Sequence, residues 1–147
     1  MELITTSSVI SFAKDLEDKS SKFYEELAHL YSEEENLFLS FEKENRKNKT
    51  QIEWVYYSFI SDAIEGCFSF EGIDTENYTL QTHIPEKISY SDAIQMAISM
   101  ENKITKFHLN VTRVSKSLLA DISEIFNKLI INRKKRILTL KLLIKNN

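Results

Sequence analysis

The sequence predicts an all-α protein, a four-helix bundle built from two helical hairpins joined by one long crossover. Three observations predict this fold class. Apolar residues recur every three or four positions along most of the 147 residues, which is the spacing of an amphipathic helix. Strand-like alternation is nearly absent. The only glycines and the only proline, Gly66, Gly72 and Pro85, lie in the middle of the chain, so long unbroken segments flank them.

The first predicted helix covers about residues 8–31, with Ser7 or Ser8 as its N-cap. Its core-facing positions follow helical spacing: Phe12, Ala13, Leu16, Phe23, Leu27 and Leu30. An acidic turn at residues 32–35 leads into a second helix over about residues 35–61, because carboxylates suit a helix N-terminus. Its core-facing residues are Phe38, Phe41, Ile52, Val55 and Phe59.

The second half of the chain predicts two more helices. Ser91 and Asp92 are suited to cap a third helix over about residues 91–116, and a fourth covers about residues 118–145. Residues 62–90 then form the crossover, in which "CFSFEGI" is expected to be loop. All 147 residues are expected to form a single domain.

Composition narrows the class of protein. The lone Cys67 allows no internal disulfide and no four-sulfur metal centre. Neither a signal peptide nor a membrane span is found, so a cytoplasmic protein without membrane contact is expected.

Charge is unevenly distributed along the chain. The first 80 residues hold 7 basic and 17 acidic side chains, and the remaining residues hold 12 basic and 5 acidic ones, giving net charges of −10 and +7. This asymmetry suits two helical pairs that attract each other better than a basic arm for nucleic acid.

An internal repeat supports two helix pairs of common design. The segment "AKDLEDKSSKF" from Ala13 aligns with "AISMENKITKF" from Ala97, and the matched positions include Glu17 with Glu101 and Phe23 with Phe107.

Each predicted helix carries polar residues inside its apolar stripe, near mid-length. The stripe of the first helix contains Glu17, and that of the third contains Glu101. The second helix places Asn45 and Asn48 there, and the fourth places Arg133 and Arg136. Because all four interruptions lie near mid-length, we expect them to meet in one polar layer of the core.

This arrangement resembles the ferritin-like superfamily, and its rubrerythrin branch in particular, across about residues 8–145. In that family the first and third helices each give an inward Glu, with Phe-Tyr six and seven residues later. Glu17 is followed in this way by Phe23 and Tyr24, whereas His108 stands where a Tyr would follow Phe107. The resemblance implies a di-iron site completed by Glu-x-x-His on the second and fourth helices, seven and ten residues after a Phe.

The second and fourth helices depart from the family at those positions. Counting from Phe38 gives Asn45 and Asn48, and counting from Phe126 gives Arg133 and Arg136. Arginine is always protonated and offers only donors, so it repels a cation. The hypothesis is that the two guanidiniums replace iron by pairing with Glu17 and Glu101, with Tyr24 donating a hydrogen bond into the layer. Alternatively, the arginines extend to solvent at the bundle edge or face a subunit partner.

The expected function is that of a non-catalytic binding or scaffold protein, a homodimer, without cofactor. One alternative is a di-iron or mono-metal oxidoreductase that binds iron through Glu17, Glu44, Glu101 and His108, where Glu44 requires a shifted register. A second is a nucleic-acid-binding bundle that uses Lys134 and Lys135.

Three remaining features carry weaker signals. His108 is interpreted as a hydrogen-bonded core residue, and His29 and His83 as surface residues. The apolar segment "WVYYSFI", residues 54–60, is either core beneath the crossover or an oligomer face.

Overall fold

A computed structural model describes residues 1–59, 69–115 and 120–145 of the chain. Within these residues the protein contains four long helices and no strand, which confirms the all-α class and the number of helices. The helices are α1 (Thr6–Leu30), α2 (Glu35–Phe59), α3 (Tyr90–Ser115) and α4 (Ala120–Lys145). A short 3₁₀ helix, Ser32–Glu34, joins α1 to α2. The predicted helical residues 60, 61, 116, 118 and 119 lie outside the described part.

The helix caps lie slightly earlier than predicted. The N-cap of α1 is Thr5, whose hydroxyl accepts a hydrogen bond from the backbone N–H of Ser8 at 3.0 Å. At the start of α3, the Ser89 hydroxyl accepts from the backbone N–H of Asp92 at 3.0 Å. The predicted caps Ser7, Ser8, Ser91 and Asp92 are therefore wrong. The sequence offers several adjacent cap-forming side chains, and the residue where the chain turns into the helix selects among them.

The helices pack around one hydrophobic core. Most helix–helix contacts join α1 to α2 and α3 to α4, and further contacts join α2 to α4 and α1 to α3. The predicted core residues Phe38 and Ile52 are fully buried, as is Phe126 of α4, whereas the predicted core residue Leu30 is 49% exposed because it ends α1. The side chain of Phe59 and the residue Cys67 lie outside the described part.

The described part of the connection between α2 and α3 packs on the bundle. Residues 69–89 contain a short 3₁₀ helix, Thr75–Tyr78, and bury Phe70, Ile73, Tyr78 and Ile84. The N-terminal segment pairs with it: the Leu3 N–H donates to the Ile73 carbonyl and the Phe70 N–H to the Ile4 carbonyl, both at 2.7 Å. Gly72, which has a φ of +76°, provides the bend between Phe70 and Ile73.

None of the helices in the described residues has the length and apolarity needed to cross a membrane.

Candidate functional site

The centre of the bundle contains a polar layer built around Arg133 of α4. Its guanidinium is fully buried and donates to two carboxylates on different helices. Nη1 lies 2.5 Å from Glu101 Oε2 on α3, and Nη2 lies 2.6 Å from Glu17 Oε2 on α1. Arg133 therefore bridges α1 and α3 from α4 with two short, charge-assisted hydrogen bonds.

Arg136, one turn further along α4, extends the layer toward α2. Its Nη1 donates to Glu101 Oε1 at 2.9 Å and to Asn45 Oδ1 at 2.8 Å. Its Nη2 donates to Glu44 Oε1 at 2.6 Å, and the Glu44 side chain is 40% exposed. The guanidinium carbon lies 4.8 Å from the centre of the Phe41 ring, within cation–π distance. Arg136 thus connects the buried layer to a carboxylate that reaches solvent.

Neutral side chains complete the layer. The Tyr24 hydroxyl donates to Glu101 Oε1 at 2.7 Å. Asn45 accepts from Arg136 and uses its own Nδ2 to donate to the Ser20 hydroxyl at 2.8 Å. Asn48 Nδ2 donates to Glu17 Oε2 over a long 3.5 Å. All four helices contribute to one hydrogen-bonded network, which fixes their relative rotation and offset.

The two buried carboxylates differ in their surroundings. Burial would raise the pKa of Glu101, but the two guanidiniums and the Tyr24 hydroxyl together lower it below its usual value. Burial does raise the pKa of Glu17, because Arg133 opposes it only in part. Glu17 Oε1 also has no hydrogen-bond partner among the described residues. Glu101 and Glu17 in turn raise the pKa of Arg133 despite its burial, so its guanidinium stays charged. Glu101 is therefore the strongly held anion and Glu17 the weakly held one.

His108 is buried beside the layer without joining it. Its Nε2 lies 4.0 Å from Glu17 Oε1, and neither ring nitrogen has a hydrogen-bond partner among the described residues. His108 is the core residue that was expected, but the expected hydrogen bond is absent among the described residues. Its ring packs against Phe126 instead, with 5.1 Å between ring centres. Burial and the Arg133 charge lower the pKa of His108 well below its usual value, so the imidazole is neutral.

The donor set of this layer does not fit a di-iron centre. Such a centre needs several anionic oxygens and imidazoles facing a shared position. Here the Arg133 guanidinium lies between Glu17 and Glu101, and Glu44 bonds Arg136. In the described residues no group of three or more His, Cys, Asp or Glu side chains is arranged to hold a metal ion. The layer instead neutralises buried charge and links helices.

All seven residues of the predicted polar layer come together: Glu17, Tyr24, Asn45, Asn48, Glu101, Arg133 and Arg136. Of the two further residues considered as metal ligands, Glu44 bonds Arg136 and His108 lies adjacent. His29 and His83 are exposed.

Sequence reasoning missed Glu44 as an arginine partner, because it lies one residue outside the apolar stripe of α2. Its position directly before Asn45 was a usable signal, since a long arginine side chain also reaches positions next to the stripe.

Comparison of the chain with family models, curated proteins and solved structures finds no match.

Proposed function

We propose that this chain is a rubrerythrin-type, ferritin-like bundle in which salt bridges have taken the place of a di-iron site. It then acts as a non-catalytic binding or scaffold protein. The proposal includes the long crossover of that fold between the second and third helices.

One observation carries this proposal: Arg133 Nη1 and Nη2 bond Glu101 and Glu17 at 2.5 and 2.6 Å with no solvent exposure. These carboxylates are the two that the family resemblance assigns to iron. A permanently charged guanidinium between them repels any cation that would bind there. Arg136 adds a second positive charge, so the buried layer is neutral without metal: two carboxylates balance two guanidiniums.

The metal content of the purified protein tests the proposal. Protein from iron-supplemented cells is analysed by inductively coupled plasma mass spectrometry after removal of loosely bound ions. We expect far less than one iron per chain. About two irons per chain, the content of a di-iron carboxylate protein, would contradict the proposal and support an oxidoreductase that uses Glu17, Glu44, Glu101 and His108.

A ligand-restoring variant tests the descent of the layer. The substitutions Asn45→Glu, Asn48→His, Arg133→Glu and Arg136→His place Glu-x-x-His on α2 and α4. Because Glu17 and Glu101 already face the same layer, we expect this variant to gain about two irons per chain. The variant Asn45→Gln, Asn48→Gln, Arg133→Leu and Arg136→Leu changes the same positions without adding ligands. If both variants fold, by circular dichroism, and neither retains iron, the proposed descent is wrong.

A homodimer forms part of the proposal, and α2 supplies the supporting feature. Trp54 and Tyr57 lie one turn apart on α2, 61% and 76% exposed. Large aromatic residues are enriched in protein interfaces. We expect a dimer by sedimentation equilibrium, and Trp54→Ser with Tyr57→Ser to dissociate it. The control is Leu109→Ser, an exposed apolar residue on α3. A monomer at high protein concentration would contradict this part alone.

A further inference from the structure

The outward side of α4 displays a second apolar stripe. Ile131, Leu138 and Leu142 are 54%, 63% and 55% exposed. They are separated by seven and four positions, so they lie on one side of the helix. Arg133, Arg136 and Leu140 occupy the opposite, buried side. An ordinary surface helix keeps polar residues on the outward side, so this stripe needs a different explanation.

The same side of α4 is strongly basic. Lys134, Lys135 and Lys141 are exposed and make no ion pair with other described residues. Every charged side chain that follows Glu124 in α4 is a lysine or an arginine. We name this surface, formed by Ile131, Lys134, Lys135, Leu138, Lys141 and Leu142, the α4 outer face. It combines exposed aliphatic area with uncompensated positive charge, so a complementary partner is apolar and acidic.

The spacing indicates the shape of that partner. Positions 131, 135, 138, 142 and 145 follow alternating steps of four and three, which is the spacing of a coiled-coil contact line. Lys134 and Lys141, seven positions apart, lie on one flank of this line, where interhelical ion pairs form. If a second copy of the chain bound through the same face, Lys135 and Lys145 would lie close to lysines of that copy, and the two copies would repel each other. The flat side of a membrane-bound helix is continuously apolar, whereas Lys135 interrupts this one.

We propose that the α4 outer face binds an amphipathic helix of a partner protein, with aliphatic residues on its contact line and carboxylates on the flank that meets Lys134 and Lys141. This inference rests on the scaffold function proposed above and specifies the kind of partner. It does not depend on the buried layer, because every residue of the face points away from the core.

The test uses a fluorescein-labelled synthetic peptide of about three heptads with leucine at a and d and glutamate at e and g. Binding to the full chain is followed by fluorescence anisotropy. The comparison peptide carries lysine at e and g. We expect saturable binding of the acidic peptide and none of the basic one, with weaker binding as salt is raised.

Two matched pairs of variants locate the site. Lys134→Glu with Lys141→Glu is compared with Lys19→Glu and Lys22→Glu, two exposed positions on α1. Leu138→Ser is compared with Leu109→Ser. We expect the variants of the α4 outer face to weaken binding at least about tenfold, or about 1.4 kcal/mol, and the controls to change it less than about twofold. Unchanged melting curves show that each variant folds, since all these side chains are exposed.

Several outcomes would overturn the inference. Equal binding of both peptides, no saturation of the acidic peptide, or equal effects of face and control variants would each do so. Retention by phosphatidylserine vesicles or duplex DNA without peptide binding would assign the face to a membrane or to nucleic acid. A self-association lost with Leu138→Ser would assign it to a second copy. None of these results bears on the metal content, so the proposed replacement of iron is tested separately.

Discussion

Replacing Arg133 by leucine removes the guanidinium that joins α1, α3 and α4. The structure shows what each partner retains. Glu101 keeps its bonds to Arg136 and Tyr24. Among the described residues, Glu17 loses its only charged hydrogen-bond partner and keeps one long bond from Asn48. The stranded charge therefore lies mainly on Glu17.

The size of the stability loss depends on how the Glu17 carboxylate responds once its guanidinium partner is removed. Glu17 can take up a proton, and at pH 7 this costs at most about 3.4 kcal/mol relative to an ordinary carboxyl with a pKa of 4.5. Loss of the pairing to Glu101 adds to this, so we expect a total of about 3–5 kcal/mol. The free energy of unfolding of a single domain is about 5–15 kcal/mol, so the Arg133→Leu variant loses a large part of its stability.

Urea unfolding followed by far-ultraviolet circular dichroism measures this loss. Lys134→Leu is the matched control, because it changes the adjacent, exposed residue and is expected to alter the free energy of unfolding by less than about 0.5 kcal/mol. Burial already raises the pKa of Glu17 in the parent protein, and removal of the opposing Arg133 charge should raise it further, so the variant loses more stability than the parent as pH rises from about 4.5. The loss caused by Arg133→Leu is therefore larger at pH 7 than at pH 5.

A double-mutant cycle provides the decisive comparison. Adding Glu17→Gln to Arg133→Leu removes the stranded charge and should recover at least about 1 kcal/mol. Adding Glu101→Gln should recover less, because Glu101 remains paired with Arg136. Absence of coupling between Arg133 and both carboxylates would refute the reasoning, as would a destabilisation no larger than that of Lys134→Leu.

Three further variants test neighbouring features. Because the pKa of His108 is lowered in the folded state, stability is lost as pH falls below about 6.5, by up to about 1.4 kcal/mol per pH unit; urea titrations should show this slope reduced in His108→Leu, and an unchanged slope would contradict this. Tyr24→Phe removes the 2.7 Å bond to Glu101 and should cost about 1–3 kcal/mol in the same assay, whereas an unchanged midpoint would mean that this bond contributes little. In Gly72→Ala the new Cβ meets no atom of the described residues within 4 Å, so its expected loss of about 1 kcal/mol comes from the positive φ; a thermal melt that matches the parent protein would contradict this.

The polar layer illustrates how far spacing along a helix can be extended into three dimensions. Positions 17, 45, 48, 101, 133 and 136 could be assigned to core-facing stripes because the side of a helix that a residue occupies depends only on local geometry. The four groups of polar residues meet in one layer because each lies near the middle of its helix and the helices have similar lengths, 25 or 26 residues.

The partners within the layer could not be assigned in this way. An arginine side chain reaches several positions on a neighbouring helix, and small changes in helix rotation and offset decide which carboxylate it meets. Arg136 therefore bonds Glu44 as well as Glu101, which spacing alone did not indicate. For the same reason the separation of His108 from Glu17 could not be predicted, and neither could the choice of Thr5 and Ser89 as caps.

The amino-acid order by itself determined the four helices, their buried sides and the six charged or amide residues at mid-length, because these depend on periodicity within a single helix. The tertiary structure alone decided three features: Arg133 bonds two carboxylates at once, one oxygen of Glu17 has no partner among the described residues, and the N-terminal segment pairs with residues 70–75. These features join residues far apart in the chain, and their distances are set by how the helices pack against one another.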